Sequence, residues 1–413
     1  MSARRNYGLL LGSQVLAAFA DNAILAVILG QLTFRAHAGL ITRTQLGMAN
    51  AVYASLFFVP YVLLAPVAGY VNDRLPKTTC LVVANLIKLA GTGLAILSIE
   101  HGPFWQGLGY FLVGVGASIF SPAKYGVLPE ILPRTRLVKA NGTMEFLSLI
   151  AILGGYFGGA AMIDGLPVRG CYALLLLAYG LSALLNLRMV ATPSHPDVQL
   201  RTTVDEFFAN FGALLANPRL FRVLCGSCMF WICGAILKMN FQPWGLEVLK
   251  LATNKQIALL GVWLSLGIMI GSVLAGQLHQ VGDLRMTRHY GWLLASWVGA
   301  LGLVELLQGA EYLRSHRPVL AMLVLAGTTA GLFLIPLNAA LQSECHQEKL
   351  GKTIATQNFI DNLGMVAAGS LVFLGVKGGL STSGVFLCLS VFVALVVTIL
   401  AIPPKRSVTL SEL

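Results

Sequence analysis

Charged side chains stand in the middle of apolar runs of this chain. Asp21 lies within GLLLGSQVLAAFADNAILAVILGQL and Lys88 within CLVVANLIKLAGTGLAILSI. Lys238 follows CGSCMFWICGAIL, and Asp361 sits in TIATQNFIDNLGMVAAGSLVFLGV. An ionisable group near the centre of a bilayer costs at least roughly 2.5–3.5 kcal/mol on insertion scales. Such groups are paired or solvated in a cavity, so they trace a polar path through a membrane protein. Lysines there can bind phosphate, and aspartates can accept an ammonium or hold a lysine in place. Asn22, Lys124, Glu145 and Asn338 extend the candidate set.

The same residues offer little for catalysis. No nucleophile–base pairing and no metal-ligand cluster is visible. None of the seven His has an Asp five residues later, so the H-x-x-x-x-D pattern of acyltransferases is absent. The chain is read as a non-enzyme with no cofactor and no metal. No His lies mid-span, which argues against a histidine proton relay. Cys225-Gly-Ser-Cys228 has the C-x-x-C spacing, but no second ligand pair accompanies it. Packing within an apolar helix accounts for it.

The elements that must position these residues are apolar helices. The chain has 413 residues, 56% of them hydrophobic and 11% charged, with mean hydropathy +0.77. A soluble domain carries about 25% charged residues. This composition belongs in lipid. The net charge of +11 is spread singly between apolar blocks rather than as a basic stripe with aromatics, which argues against nucleic acid.

A bilayer needs about 20 apolar residues per span. Twelve blocks qualify: 8–32, 45–71, 78–99, 104–128, 138–161, 171–191, 220–247, 256–281, 287–309, 318–341, 353–376 and 382–402. With both termini inside, seventeen Lys and Arg fall on the inner side and eight on the outer. That bias supports cytoplasmic termini. Arg4, Arg5 and Ala18-Phe19-Ala20 mimic a signal peptide, but the apolar run resumes after Asp21-Asn22 and reads as a span.

A polar stretch at 192–219 divides six spans from six. The expected domains are therefore 1–191, a linker at 192–219, and 220–413. Within the linker, Val204, Phe207, Phe208, Phe211, Leu214 and Leu215 recur at helical spacing. This fits an amphipathic helix on the membrane surface or a linker helix packed on the bundle.

An internal repeat supports the division. VGASIFSPAKYGVLPE (115–130) aligns with TAGLFLIPLNAALQSE (329–344), placing Pro122 on Pro336, Lys124 on Asn338 and Glu130 on Glu344. Two six-helix bundles related by an axis along the membrane normal form the plan of major facilitator transporters. Gly69-Tyr-Val-Asn-Asp73-Arg74-Leu-Pro-Lys77 resembles the G-x-x-x-D-R-x-x-[KR] loop of those proteins. Gly69 is expected to allow close helix approach. Asp73, Arg74 and Lys77 are expected to brace an inner gate. The bland reading is an ordinary charged turn.

Longer segments carry a more specific resemblance. Ala18-Phe19-Ala20-Asp21-Asn22-Ala23, Val113-Gly114-Val115-Gly116-Ala117, Ser121-Pro122-Ala123-Lys124-Tyr125-Gly126-Val127-Leu128, Leu137-Val138-Lys139-Ala140-Asn141-Gly142 and Pro336-Leu337-Asn338-Ala339 resemble the bacterial lysophospholipid transporters of the major facilitator superfamily. The resemblance implies inward flipping of lysophospholipids across the bacterial inner membrane for a cytoplasmic acyltransferase partner, by a protein that works as a monomer. One departure lies in the seventh span. Where the family's pattern has Arg after the aromatic-Trp element, this chain has Lys238 after Phe230-Trp231. A Lys keeps the charge and loses the bidentate fork.

The residues suit such a substrate. Lys124 and Lys238 are candidates for the phosphate, and Asp21 for an ammonium. Asp21 and Lys238 are expected to face each other as a pair, with or without touching substrate. Lys124 can also snorkel from its helix end. Lys88 is expected to serve in structural pairing. Glu145 and Asp361 are cavity-lining or helix-bridging. Phe19, Phe120 and Trp231 are candidates for the acyl-chain side. The alternative is a proton-coupled exporter or symporter of small molecules on the same fold, using Asp21, Glu145 or Asp361.

Overall fold

The computed structural model describes residues 2–132, 134–194, 197, 199–279, 283–307, 317–344 and 350–400. Among these, residues 2, 3, 73, 129, 134–139, 141, 142, 145, 306, 307, 342, 343 and 350–352 are described by backbone alone.

The described residues form helices and no strands. In order they are α1 (Ser2–His37), α2 (Arg43–Leu56), α3 (Val59–Leu63), α4 (Ala65–Arg74), α5 (Lys77–His101), α6 (Pro103–Ile131), α7 (Arg134–Gly165), α8 (Val168–Leu187), α9 (Leu200–Ala216), α10 (Pro218–Glu247), α11 (Asn254–Leu278), α12 (Thr287–Leu303), α13 (Arg317–Glu344), α14 (Leu350–Lys377) and α15 (Thr382–Ile399). The cause is the solvent. Lipid offers no partner to a backbone N–H or C=O, so each crossing segment must satisfy its own groups.

Among the described residues, eleven helices are long and apolar enough to cross a membrane. The remaining expected block, 287–309, holds the 17-residue α12, which is followed by a 3-10 turn over Val304–Leu307. The protein is a multi-pass membrane protein. Its second span is not one helix but three, α2 to α4. Pro60 and Pro66 sit in the first turns of α3 and α4. A proline donates no hydrogen bond and clashes with the carbonyl four residues back. Accordingly, α2 ends at Leu56 and α3 at Leu63.

The chain forms two compact units. The first comprises the residues up to Glu206 together with 239–262 and 366–379. Here α5 lies along α6, α1 lies along α7, and α8 packs on both α1 and α5. Its core includes Ile24, Ile28, Tyr110, Val113, Tyr172 and Tyr179. A second layer is built on Leu10, Leu81, Phe120, Val127 and Met144.

The second unit comprises 207–238, 263–365 and 380 onward. In it, α12 packs on α13 and α15. The linker helix α9 is docked rather than solvated on all sides. Phe207 and Phe211 meet the Phe359 ring of α14 edge-on, at 5.5 and 6.0 Å between centroids. Asn210 donates to Thr356 at 3.1 Å. These contacts seat one face of α9 on α14.

Candidate functional site

The first polar cluster is built by α1, α5, α6 and α8. Asp21 on α1 accepts from two neighbours. Lys88 Nζ lies 2.7 Å from its Oδ2, and the Tyr179 hydroxyl lies 2.8 Å from its Oδ1. Lys88 is 1% exposed, and its ammonium also sits 4.8 Å above the Phe120 ring. Two glycines make the geometry accessible. A Cβ on Gly116 would meet the Lys88 stem at 2.6 Å and the Ala84 carbonyl at 2.5 Å. A Cβ on Gly155 would meet the Phe19 carbonyl at 2.2 Å, so α7 closes on α1 two residues from Asp21.

Within its own unit, Asp21 is balanced by Lys88. The reason is azimuth: Lys88 on α5 and Tyr179 on α8 both point to the α1 face that carries Asp21. Phe120, expected on the acyl-chain side, is 3% exposed and packed against Lys88. The pairing role expected of Lys88 is what the geometry has.

The second cluster lies in the second unit and joins α10, α13 and α14. Ser227 of α10 donates to Asp361, its Oγ lying 3.1 and 3.2 Å from the two carboxyl oxygens. Gln357 Nε2, one turn before Asp361 on α14, donates to Ser227 Oγ at 2.8 Å and to Asn338 Oδ1 at 2.9 Å. Asn338 and Asp361, singled out separately from sequence, thus belong to one network. Ser227 and Gln357 were missed. The i, i+4 spacing of Gln357 and Asp361 places both on one helix face and was the available signal.

The remaining candidates have plainer settings. Asn22 donates to the Ala18 carbonyl of its own helix at 2.9 Å. Lys124 is half-buried, with its ammonium 4.8 Å over the neighbouring Tyr125 ring. Lys238 is half-buried on α10. Glu145 and Asp73 lie outside the residues whose side chains are described. Lys77 forms an ion pair with Glu130 at the end of α6, and Arg74 donates to Tyr70. Among the described residues, a Cβ on Gly69 would meet a Thr203 methyl at 3.9 Å, an ordinary contact.

The repeat has a structural echo. Glu344, which aligns with Glu130, holds Arg219 at 2.8 Å in the second unit. Each unit therefore closes the end of its fourth span with a Glu–cation pair. No group of three His, Cys, Asp or Glu able to hold a metal exists among the described residues.

Residues 11–369 match the model of the Major Facilitator Superfamily. The chain belongs to that superfamily. This major facilitator protein is 33% identical over 373 residues to the lysophospholipid transporter LplT of Photorhabdus laumondii, covering 89% of this chain and 87% of that one. It is 31% identical over 398 residues to the lysophospholipid transporter LplT of Enterobacter sp. strain 638, covering 95% and 94%. Among solved structures, a POT family transporter in complex with a thioalcohol conjugated peptide superposes with a TM-score of 0.72. It covers 96% of this chain and 95% of that one at 14% identity, which speaks to the fold alone.

Proposed function

We propose that this protein moves lysophospholipids from the outer to the inner leaflet of the bacterial inner membrane, by alternating access. The observation that carries the reading is the similarity to lysophospholipid transporters along nearly the whole chain. The residues agree with it. A lysophospholipid presents an anionic phosphodiester and one acyl chain. Lys238 and Trp231 lie seven residues apart, on one face of α10. Trp231 is 41% exposed. One helix face thus offers a cation for phosphate beside an apolar surface for the chain.

Lys124, toward the end of α6, is the second phosphate candidate. Asp21 and Lys88 neutralise each other and serve as the rigid charged anchor of the N-terminal bundle. The bundles are taken as 1–191 and 220–413, joined by 192–219, with both termini in the cytoplasm. There the product becomes available to an acyltransferase. The transporter works as a monomer and is not itself an enzyme.

The test is uptake of labelled lysophosphatidylethanolamine into liposomes holding the purified protein. Burying a tail gains roughly 0.8 kcal/mol per CH₂. Unlabelled lysophosphatidylethanolamine should therefore block uptake, and glycerophosphoethanolamine, which has no tail, should not. Diacyl phosphatidylethanolamine should compete poorly. Equal competition by the tailless compound would overturn the lipid reading in favour of a small-solute transporter of the same superfamily.

A further inference from the structure

Stretches of α10, α11 and α14 belong to the first unit: α10 from Met239 onward, the first turns of α11 and the last turns of α14. In the proposed topology these stretches lie at the outer face. Each is held differently. On α14, Gly369 has no side chain, and a Cβ there would run into Ser55 of α2. At the start of α11, the Asn254 and Lys255 amides donate to Asp164 of α7. On α10 the hold is a buried side-chain amide. Gln242, 3% exposed, donates through Nε2 to the Leu29 carbonyl and to the Thr33 hydroxyl oxygen, both on α1. The Thr33 hydroxyl in turn donates to Leu29 at 3.1 Å.

Two details set this amide apart. Its Oε1 is buried and accepts from no donor among the described residues. Gln242 also borders a cavity of about 10 Å³ between α1, α7, α10 and α11, lined by Ala26, Tyr156, Ala160 and Ala258. A buried acceptor without a donor is penalised, and hydration lifts the penalty. The Nε2 bonds therefore favour closure of α10 on α1, while Oε1 favours release. The next residue adds a weak point. Pro243 lies inside α10 and offers no N–H to the Met239 carbonyl. The hydrogen-bond ladder is broken where α10 enters the first unit.

We propose that Gln242 is a latch residue: it shuts the end of α10 against α1, and lipid enters from the outer face when this amide releases and α10 yields at Pro243. Gln242 is a positioning residue that acts through α10, not a lipid ligand. Release breaks its two bonds to α1 and hydrates Oε1, so the closed and open states lie near balance. A change at this position then shifts their populations.

The outer-face assignment and the link to lipid rest on the proposed function, whereas the latch does not, so separate measurements divide them. Gln242→Glu is the informative variant. Ionised, its carboxylate has no donor and faces two oxygens; protonated, its O–H donates again. Deuterium exchange of the reconstituted full-length protein, corrected for intrinsic amide rates, is read at alkaline and at mildly acid pH in peptides holding Leu29 and Gln242. At alkaline pH the variant should exchange several-fold faster than wild type, and at acid pH it should return to the wild-type rate. Wild type carries the same Tyr156, Asp164 and Lys255, so running it at both pH values subtracts their effect. The helices α12 and α15 should keep their protection throughout, which separates release from unfolding. Wild-type protection of the variant at alkaline pH overturns the latch. So does equal acceleration at both pH values, which would mean that the amide only fills space.

Lys250, exposed just beyond α10, reports the side. An impermeant amine reagent should modify it from outside in right-side-out vesicles. Modification from the inside alone overturns the outer-face assignment and leaves the latch. Uptake of lysophosphatidylethanolamine by Gln242→Glu should be several-fold slower than by wild type at alkaline pH and should recover in acid. Undiminished uptake despite lost protection overturns the role in transport. No uptake by wild type, with the exchange pattern intact, overturns the lipid reading and leaves the latch.

Discussion

Lys88 Nζ lies 2.7 Å from Asp21 Oδ2, and the two side chains are 1% and 14% exposed. A pair this enclosed is an electrical unit inside the N-terminal bundle. Removing one partner leaves a bare charge in an apolar surround, which costs about 3–5 kcal/mol. Lys88→Met is therefore expected to lower the unfolding midpoint in detergent sharply. Asp21→Asn with Lys88→Met should recover most of the loss. If the double variant were as unstable as the sum of the singles, charge pairing would not be the cause.

Two glycines of the first unit should respond with opposite sign. Gly116→Ala forces a methyl against the Lys88 stem and the Ala84 carbonyl, and overpacking of this kind costs about 1–3 kcal/mol. A Cβ at Gly93 meets nothing within 4 Å. Gly93→Ala in the same helical bundle should instead stabilise by about 0.5–1 kcal/mol, through helix propensity alone. Comparison of the two unfolding midpoints checks both signs.

At the end of α6, Lys77 and Glu130 are largely enclosed, at 14% and 17% exposure. Lys77→Glu and Glu130→Lys each place like charges together. Both singles should slow transport, and the swapped double should restore it. A coupling of about 0.5–3 kcal/mol is the range for groups in contact. A double no faster than either single would remove this pair from the transport cycle.

Asp164, in the last turn of α7, caps a helix it does not belong to. Its carboxylate accepts from the Asn254 backbone at 3.3 Å, the Asn254 side chain at 2.7 Å and the Lys255 backbone at 2.9 Å, at the start of α11. Losing a cap costs about 1 kcal/mol. Asp164→Ala should lower stability by that amount. It should also speed deuterium exchange at the Asn254 and Lys255 amides, while amides in the middle of α11 keep their protection. Uniform exchange along α11 in both proteins would refute the cap.

Span positions were legible in the sequence because apolar length is a one-dimensional property, and among the described residues eleven helices of crossing length fall on expected blocks. What one dimension conceals is azimuth. Asp21 and Lys88 are both mid-span, but depth alone does not say that they meet; the packing of α5 and α8 on α1 does. Gln357, Ser227 and Tyr179 escaped notice because single amides and hydroxyls in apolar helices look unremarkable until a neighbour is known. Asn338 and Asp361 were found individually, yet their connection through Gln357 needed the third dimension. Pro60 and Pro66 were present in the second block, but counting apolar residues is blind to a break in the hydrogen-bond ladder.

That break has a mechanical consequence. A continuous helix behaves as a stiff rod, and a push at one end arrives at the other. The second span instead has two hinges, near Phe58 and Leu64, where backbone carbonyls at Leu56 and Val62 have no amide four residues on to receive. It is a jointed lever. The segment ending at Arg74 is separated from the segment beginning at Arg43 by these two breaks, so the two are not one rigid rod from end to end.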